Sequence, residues 1–384
     1  MTGGRLGLLG VLLFLSLGIF FSQNPFAGWY GLLKFLEFLF FGWYVSRSSV
    51  QEKKLIPIAF SFGILFESIL AILQYFQQSS LGGLFYYVGE RTFSGTTPGI
   101  ANASLDGQLT LRAYGTFPHP NVLAGFLVIA MTFVILNLIQ NLKNRSRVEP
   151  GMTVRVVQFF YGTVLLLGTI ALLLTFSRAA ILVWVVIVIT IIAFRKKTWI
   201  FAALLVLSIL VAVSPLLVSR FSFSLTDESI TQRLFLIQAS FAMILSHPLF
   251  GIGLNNFLPS LPYFTDAASQ QFILQPVHNI FLLTASETGV VGFIGMLVFL
   301  WMCIKRSDSL LKLMLLGSVV ILGMIDHYFL TIQQGQLLLA LVLGYCWNRN
   351  YELRIKQGVT GVRLEQPRRL FMTNRSWSYR NRAL

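Results

Sequence analysis

The sequence predicts an all-α, polytopic membrane protein of about ten transmembrane helices, with a large external loop between spans seven and eight. Three observations predict it. Of 384 residues, 55% are hydrophobic and only 11% charged, with a mean hydropathy of +0.74; a soluble domain carries about 25% charged residues. Runs of roughly 20 mostly apolar residues, the length that crosses a bilayer, recur along the chain. Lysine and arginine then fall in alternate loops, which gives the spans a consistent direction.

The spans are read at roughly 5–22, 28–46, 55–76, 118–140, 156–175, 177–194, 199–217, 279–303, 309–326 and 328–347. The first follows a short basic start and has no small-residue cleavage site after it, so an uncleaved span is expected. Of the 29 basic residues, 23 fall on one side, among them Lys143, Arg145 and Arg147, Arg195 to Lys197, and nine in the tail after 347. Five fall on the other: Arg91, Arg112, Arg178, Arg220 and Arg233. Lys34 lies within span two. The alternation places both termini in the cytoplasm. It also accounts for the net charge of +15 without nucleic acid. The organisation is then a helical bundle over 1–347, with an external loop at 218–278, and a basic cytoplasmic tail at 348–384, best read as solvated near anionic lipid. Cys303 and Cys346 sit near the cytoplasmic ends of spans and imply neither a disulfide framework nor a metal site.

Two external segments are long, 77–117 and 218–278, and long loops with aromatics, Gly and Pro are expected to carry function. Within the second, Ser229 to Ser246 reads as a helix, ended by His247-Pro248 and a glycine turn. The external basic residues are all arginines, whose planar fork suits phosphate oxygens. Arg178, between spans five and six, is either a snorkelling helix end or an anion ligand at the mouth of the bundle. Arg233, early on the loop helix, is either solvated or a second phosphate ligand. His278, in Pro276-Val277-His278-Asn279, stands where the long loop re-enters the membrane and can act as a general base near neutral pH. Asn279 and Glu287 form no triad with it by spacing alone. Glu287 and Glu67 are intramembrane carboxylates, functional or buried in packing. His119, flanked by Pro118 and Pro120, marks a rigid turn and helix start, with a place on the cavity wall as the alternative. No role follows for Asp326-His327. The residues show no metal cluster, no nucleotide loop, no internal repeat and no broken helix.

Taken in order, Gly115-Thr116-Phe117-x-His119-Pro120-Asn121, Phe176-Ser177-Arg178-Ala179-Ala180, Arg233, His247-Pro248-Leu249-Phe250-Gly251-Ile252-Gly253-x-Asn255-x-Phe257, Val277-His278-Asn279-x-x-Leu282 and Glu287-x-Gly289-x-x-Gly292 form a pattern over 112–295. It resembles the O-antigen ligase/polymerase superfamily of bacterial envelope glycosyltransferases. Each motif is weak alone; their order and spacing carry the resemblance. It implies a C-type glycosyltransferase fold in the inner membrane, facing the outside. The donor would be a glycan on undecaprenyl diphosphate and the acceptor a lipid or another glycan. Transfer would invert the anomeric centre and use neither metal nor cofactor. The family's two essential arginines fall on Arg178 and Arg233, its loop histidine on His278, and a further arginine on Arg112. Ligation of surface polysaccharide, polymerisation and protein O-glycosylation stay open. Outside the family, a transporter or flippase of lipid-linked sugar and a scaffold subunit of an envelope complex are the rivals. The lack of repeats and broken helices counts against the transporter.

Overall fold

A computed structural model describes residues 2–105, 107–143, 152–194, 228–265 and 275–347. Helices lie over nine of the ten predicted spans. They are α1 (Thr2–Phe20), α2 (Pro25–Arg47), α3 (Val50–Gln77), α5 (Pro120–Lys143), α6 (Met152–Leu174), α7 (Arg178–Phe194), α10 (Ile280–Arg306), α11 (Leu310–Gly323) and α13 (Gln333–Trp347). The span expected at 199–217 and the tail at 348–384 lie outside the described residues. Three described helices are long and apolar enough to cross a membrane: Gln51–Gln77, Val156–Leu174 and Ile280–Arg306. Further apolar helical stretches of 10–17 residues lie at Gly10–Phe20, Pro120–Ile135, Arg178–Ile191, Ile230–Ser246 and Lys312–Gly323.

Local chemistry sets where these helices start. Ser49 and Glu52 form a reciprocal capping box at α3, satisfying two amides that a helix start leaves open. Asn24 caps α2 ahead of Pro25, and Ser309 caps α11. The central core is built from α3, α5, α6, α7, α11 and α13, around Phe133, Trp184, Leu127 and Phe329. A second apolar cluster joins the loop helix α8 (Glu228–Ser246) to α10 through Leu236, Met243, Phe257 and Leu283.

Three features differ from the sequence expectation. The fold is not purely helical: the 77–117 segment carries a short helix α4 (Leu84–Tyr87) and an antiparallel hairpin, β1 (Asn102–Leu105) with β2 (Gln108–Leu111). The last span is split, a one-turn helix α12 (Tyr328–Thr331) preceding α13. And α10 is broken at Gly289, whose φ of 65° and ψ of −172° are non-helical. The break is stitched by the chain after α8. Val290 N–H donates to the Pro248 carbonyl at 2.8 Å, Ile252 N–H to Ser286 at 2.9 Å, and Gly253 N–H to Glu287 at 3.0 Å. Gly251 (φ 68°) faces Gly289 across this junction, and a Cβ on either would strike the other segment's backbone. Two glycines are thus needed at one close approach.

Candidate active site

Four segments meet at one end of the bundle. The turn between α1 and α2 meets the loop after α8 through Asn24 N–H to Asn256 Oδ1, 2.8 Å, and Asn256 Nδ2 to the Asn24 carbonyl, 3.1 Å. The 77–117 segment is held by polar side chains of α3. Gln74 bonds both N–H and C=O of Gly115, and Glu67 accepts from the Thr116 amide and hydroxyl. Buried Glu90 accepts from Gln74 and from the amides of Leu81 and Gly82. Glu67 is therefore bound into the loop scaffold.

Glu287 has a comparable task. Its carboxylate accepts from the amides of Asn255 (2.9 Å) and Phe257 (3.2 Å), the second of which opens the short helix α9 (Phe257–Ser260). A carboxylate at a helix N-terminus satisfies open donors. It also lines a cavity of about 760 Å³ shared by the 91–100 loop, Tyr114, His119, the 255–259 turn, Gln275, His327 and Thr331. His119 thus reaches the cavity wall. Arg112, Arg178, Arg233, His278 and Asn279 are not among the lining residues.

Those five are placed as follows. Arg112 donates through Nε to the Thr175 carbonyl (2.7 Å) and through a terminal nitrogen to Asn121 Oδ1 (2.7 Å). Arg178 opens α7, half-buried, immediately after a turn in which Phe176 adopts a left-handed φ of 51°. A non-glycine residue there costs on the order of 1 kcal/mol. Arg178 consequently shares the α6–α7 turn with the carbonyl that anchors Arg112. Arg233 is half-buried on α8, near enough that its charge acts on His278 and His327. Asn279 caps α10, accepting from Phe281 and Leu282 amides at 2.8 and 3.0 Å, and donates to the Met324 carbonyl at 3.0 Å. It thereby ties His278 to the turn before α12.

That turn carries Asp326 and His327, to which residue pattern alone assigns no role. One ligand-type atom from each of His278, Asp326 and His327 lies within 4.8 Å of the others. The His278 and His327 rings stand edge to face, centroids 5.0 Å apart. Asp326 is 9% exposed and His327 7%. Asn121 Nδ2 donates to Asp326 at 2.9 Å, as does the His327 amide at 2.8 Å. A chain of polar contacts thus runs from Arg112 through Asn121 to Asp326. The separation of 48 positions between His278 and Asp326 hides the cluster from any local pattern; an acid-histidine pair at the head of a span was the available signal.

The partners fix the tautomers. With the Thr331 hydroxyl on the His327 carbonyl (3.2 Å), Thr331 accepts from His327 Nδ1–H at 2.6 Å and the lone pair is on Nε2. His278 Nε2 donates to Gln275 Oε1 at 3.1 Å, leaving its lone pair on Nδ1, a buried atom with no hydrogen-bond partner among the described residues. His119 Nδ1 accepts from the Asn121 amide at 3.1 Å.

Burial pushes His278 down to about 4, with His327 and Arg233 acting the same way and Asp326 against them. Burial and Arg112 push His119 to about 3. His327 is lowered by burial first. Burial alone would raise Asp326, but His327, His278 and Asn121 together hold it below its ordinary value. The site at pH 7 is one carboxylate among neutral imidazoles, with Arg233 beside it.

No curated protein matches the chain. Residues 163–297, which include Arg178, Arg233, His278, Asn279 and Glu287, match the family model described as O-Antigen ligase. The chain thus carries a domain of the O-antigen ligase/polymerase superfamily, on a multi-pass helical membrane scaffold.

Proposed function

We propose that the protein moves an oligo- or polysaccharide from undecaprenyl diphosphate to an acceptor hydroxyl on the external face of the membrane. The observation that carries this is His278: a neutral histidine whose lone pair has no partner among the described residues, beside Asp326 and Arg233, inside the segment that matches the ligase family. His278 Nδ1 takes the proton of the acceptor hydroxyl as its oxygen attacks the anomeric carbon. The bond from that carbon to the diphosphate oxygen breaks, and the anomeric centre inverts. Asp326 stabilises the imidazolium that forms. Charge developing on the diphosphate is met by Arg178, at the N-terminal end of α7 where helix amides favour anions, and by Arg233. These cations supply the charge stabilisation that a metal ion would otherwise provide. Glu287 holds the α8–α10 junction and takes no part in proton transfer.

A flippase of lipid-linked sugar draws on one observation, the break in α10 at Gly289. Here, however, backbone from 248–253 occupies the break, so its amides and carbonyls are not presented to a solute. Purified protein given undecaprenyl-diphosphate-linked glycan and a panel of acceptors, without added metal, separates the two. Transferase chemistry releases undecaprenyl diphosphate and extends an acceptor. Movement of intact donor between leaflets with no release would replace it with the flippase.

A further inference from the structure

The cluster of His278, Asp326 and His327 has the makings of a second kind of site. Three donors of mixed type, two imidazole nitrogens and a carboxylate oxygen, come within 4.8 Å of one another. Each is oriented by a partner outside the set. Gln275 takes His278 Nε2–H, Thr331 takes His327 Nδ1–H, and Asn121 holds Asp326. Those hydrogen bonds leave the lone pairs on His278 Nδ1 and His327 Nε2, the form in which histidine binds metals. His278 Nδ1 is buried and has no hydrogen-bond partner among the described residues, and His327 also lines the cavity, which gives an ion a route in and a fourth ligand from solvent.

We propose that these three residues bind one divalent transition-metal ion, Zn²⁺ foremost. Two imidazoles and a carboxylate suit Zn²⁺, Co²⁺ or Ni²⁺, whereas Mg²⁺ prefers an all-oxygen octahedron. A tetrahedral ion with bonds of about 2 Å holds its ligand atoms about 3.3 Å apart. Ligand atoms 4.8 Å apart must therefore close by about 1.5 Å on binding. The ion would occupy the lone pair that transfer requires, so Zn²⁺ at this site is an inhibitor reversed by chelators. That consequence rests on the reading of His278 as the base; the site itself does not.

The test is a titration of chelator-treated, untagged full-length protein in detergent with Co²⁺ alone, followed by visible absorption. The site predicts one Co²⁺ per chain with a four-coordinate d–d spectrum, displaced by Zn²⁺ and not by Mg²⁺. Binding weakens at least about 100-fold in His327→Ala and in Asp326→Asn. His327→Cys keeps the ion and adds a thiolate charge-transfer band, which shows that lost binding in the other variants is not lost folding. Absence of stoichiometric Co²⁺, or equal binding in His327→Ala, overturns the site. Zn²⁺ that binds at one per chain yet leaves transfer unchanged supports the site and contradicts instead the role of His278 as base.

Discussion

His278 shows how one residue's surroundings set its chemistry. In water a histidine is half-charged near pH 6.5, whereas burial brings His278 to about 4. A general base works deprotonated, so activity is retained above that value and lost as pH falls through it. The acid limb of kcat/KM is predicted near pH 4 to 5, well below that of a free imidazole; a limb at 6.5 would contradict the description of the site. Stability follows the same groups. His119, His278 and His327 are all depressed in the fold, so the unfolded chain binds protons more tightly. Their contribution is intact above about pH 6.5 and falls as pH drops toward 4. The thermal midpoint should decline over that window, and His119→Asn should flatten the decline. Asp326→Asn removes the charge that stabilises the imidazolium while keeping a similar shape. It is expected to lower kcat by about 100-fold, on the scale of general-base effects, with little change in KM.

At the scale of elements, the junction of α8 and α10 holds His278 in place. Glu287 satisfies two amides of the 255–257 turn, and Gly251 and Gly289 allow the backbones to meet. Glu287→Ala strands those donors, at about 1–3 kcal/mol each. Glu287→Gln keeps an acceptor and should be milder. Gly289→Ala adds a left-handed alanine and a collision with the Leu249 carbonyl, so it should unfold at lower temperature than either. A thiol-reactive unfolding assay on buried Cys303 and Cys346 would rank the three. Much at this scale was legible in the sequence: the helix read at 229–246 and observed at Glu228–Ser246, its stop at His247-Pro248 and the helix start at Pro120 all follow from caps, prolines and glycines. The break in α10 was not, because an isolated glycine is tolerated inside a helix and residue type does not register φ, even where Ser286-Glu287-Thr288 interrupt the apolar run before Gly289. The partners of Glu287 were invisible for a related reason: they are backbone amides, which leave no mark on residue type.

For the whole molecule, the apolar runs and charge alternation were enough to place helices, since bilayer thickness and the cost of moving lysine and arginine across it are properties of composition. What composition could not supply is which loops touch. Arg112, Asn121, Asp326, Asn279 and Met324 come together across more than 200 residues, by contacts that no spacing encodes. The proposed topology has a direct consequence. In intact cells, Thr97→Cys, beside the cavity, should react with an impermeant maleimide, and Ser307→Cys, after the basic end of α10, should not. Cys303 and Cys346 are buried and give little background. Labelling of Ser307→Cys alone would invert the protein and place the site in the cytoplasm.

The most direct test of the account is a single-turnover measurement with undecaprenyl-diphosphate-linked glycan and an accepted acceptor, in chelator, comparing wild type with His278→Ala, Arg178→Ala and Arg233→Ala. In the wild type, release of undecaprenyl diphosphate should be coupled to acceptor extension. His278→Ala should slow it about 100-fold or more while donor binding persists, and each arginine variant should lose about 100-fold or more. Transfer by His278→Ala at the wild-type rate would contradict the assignment of His278 as the base.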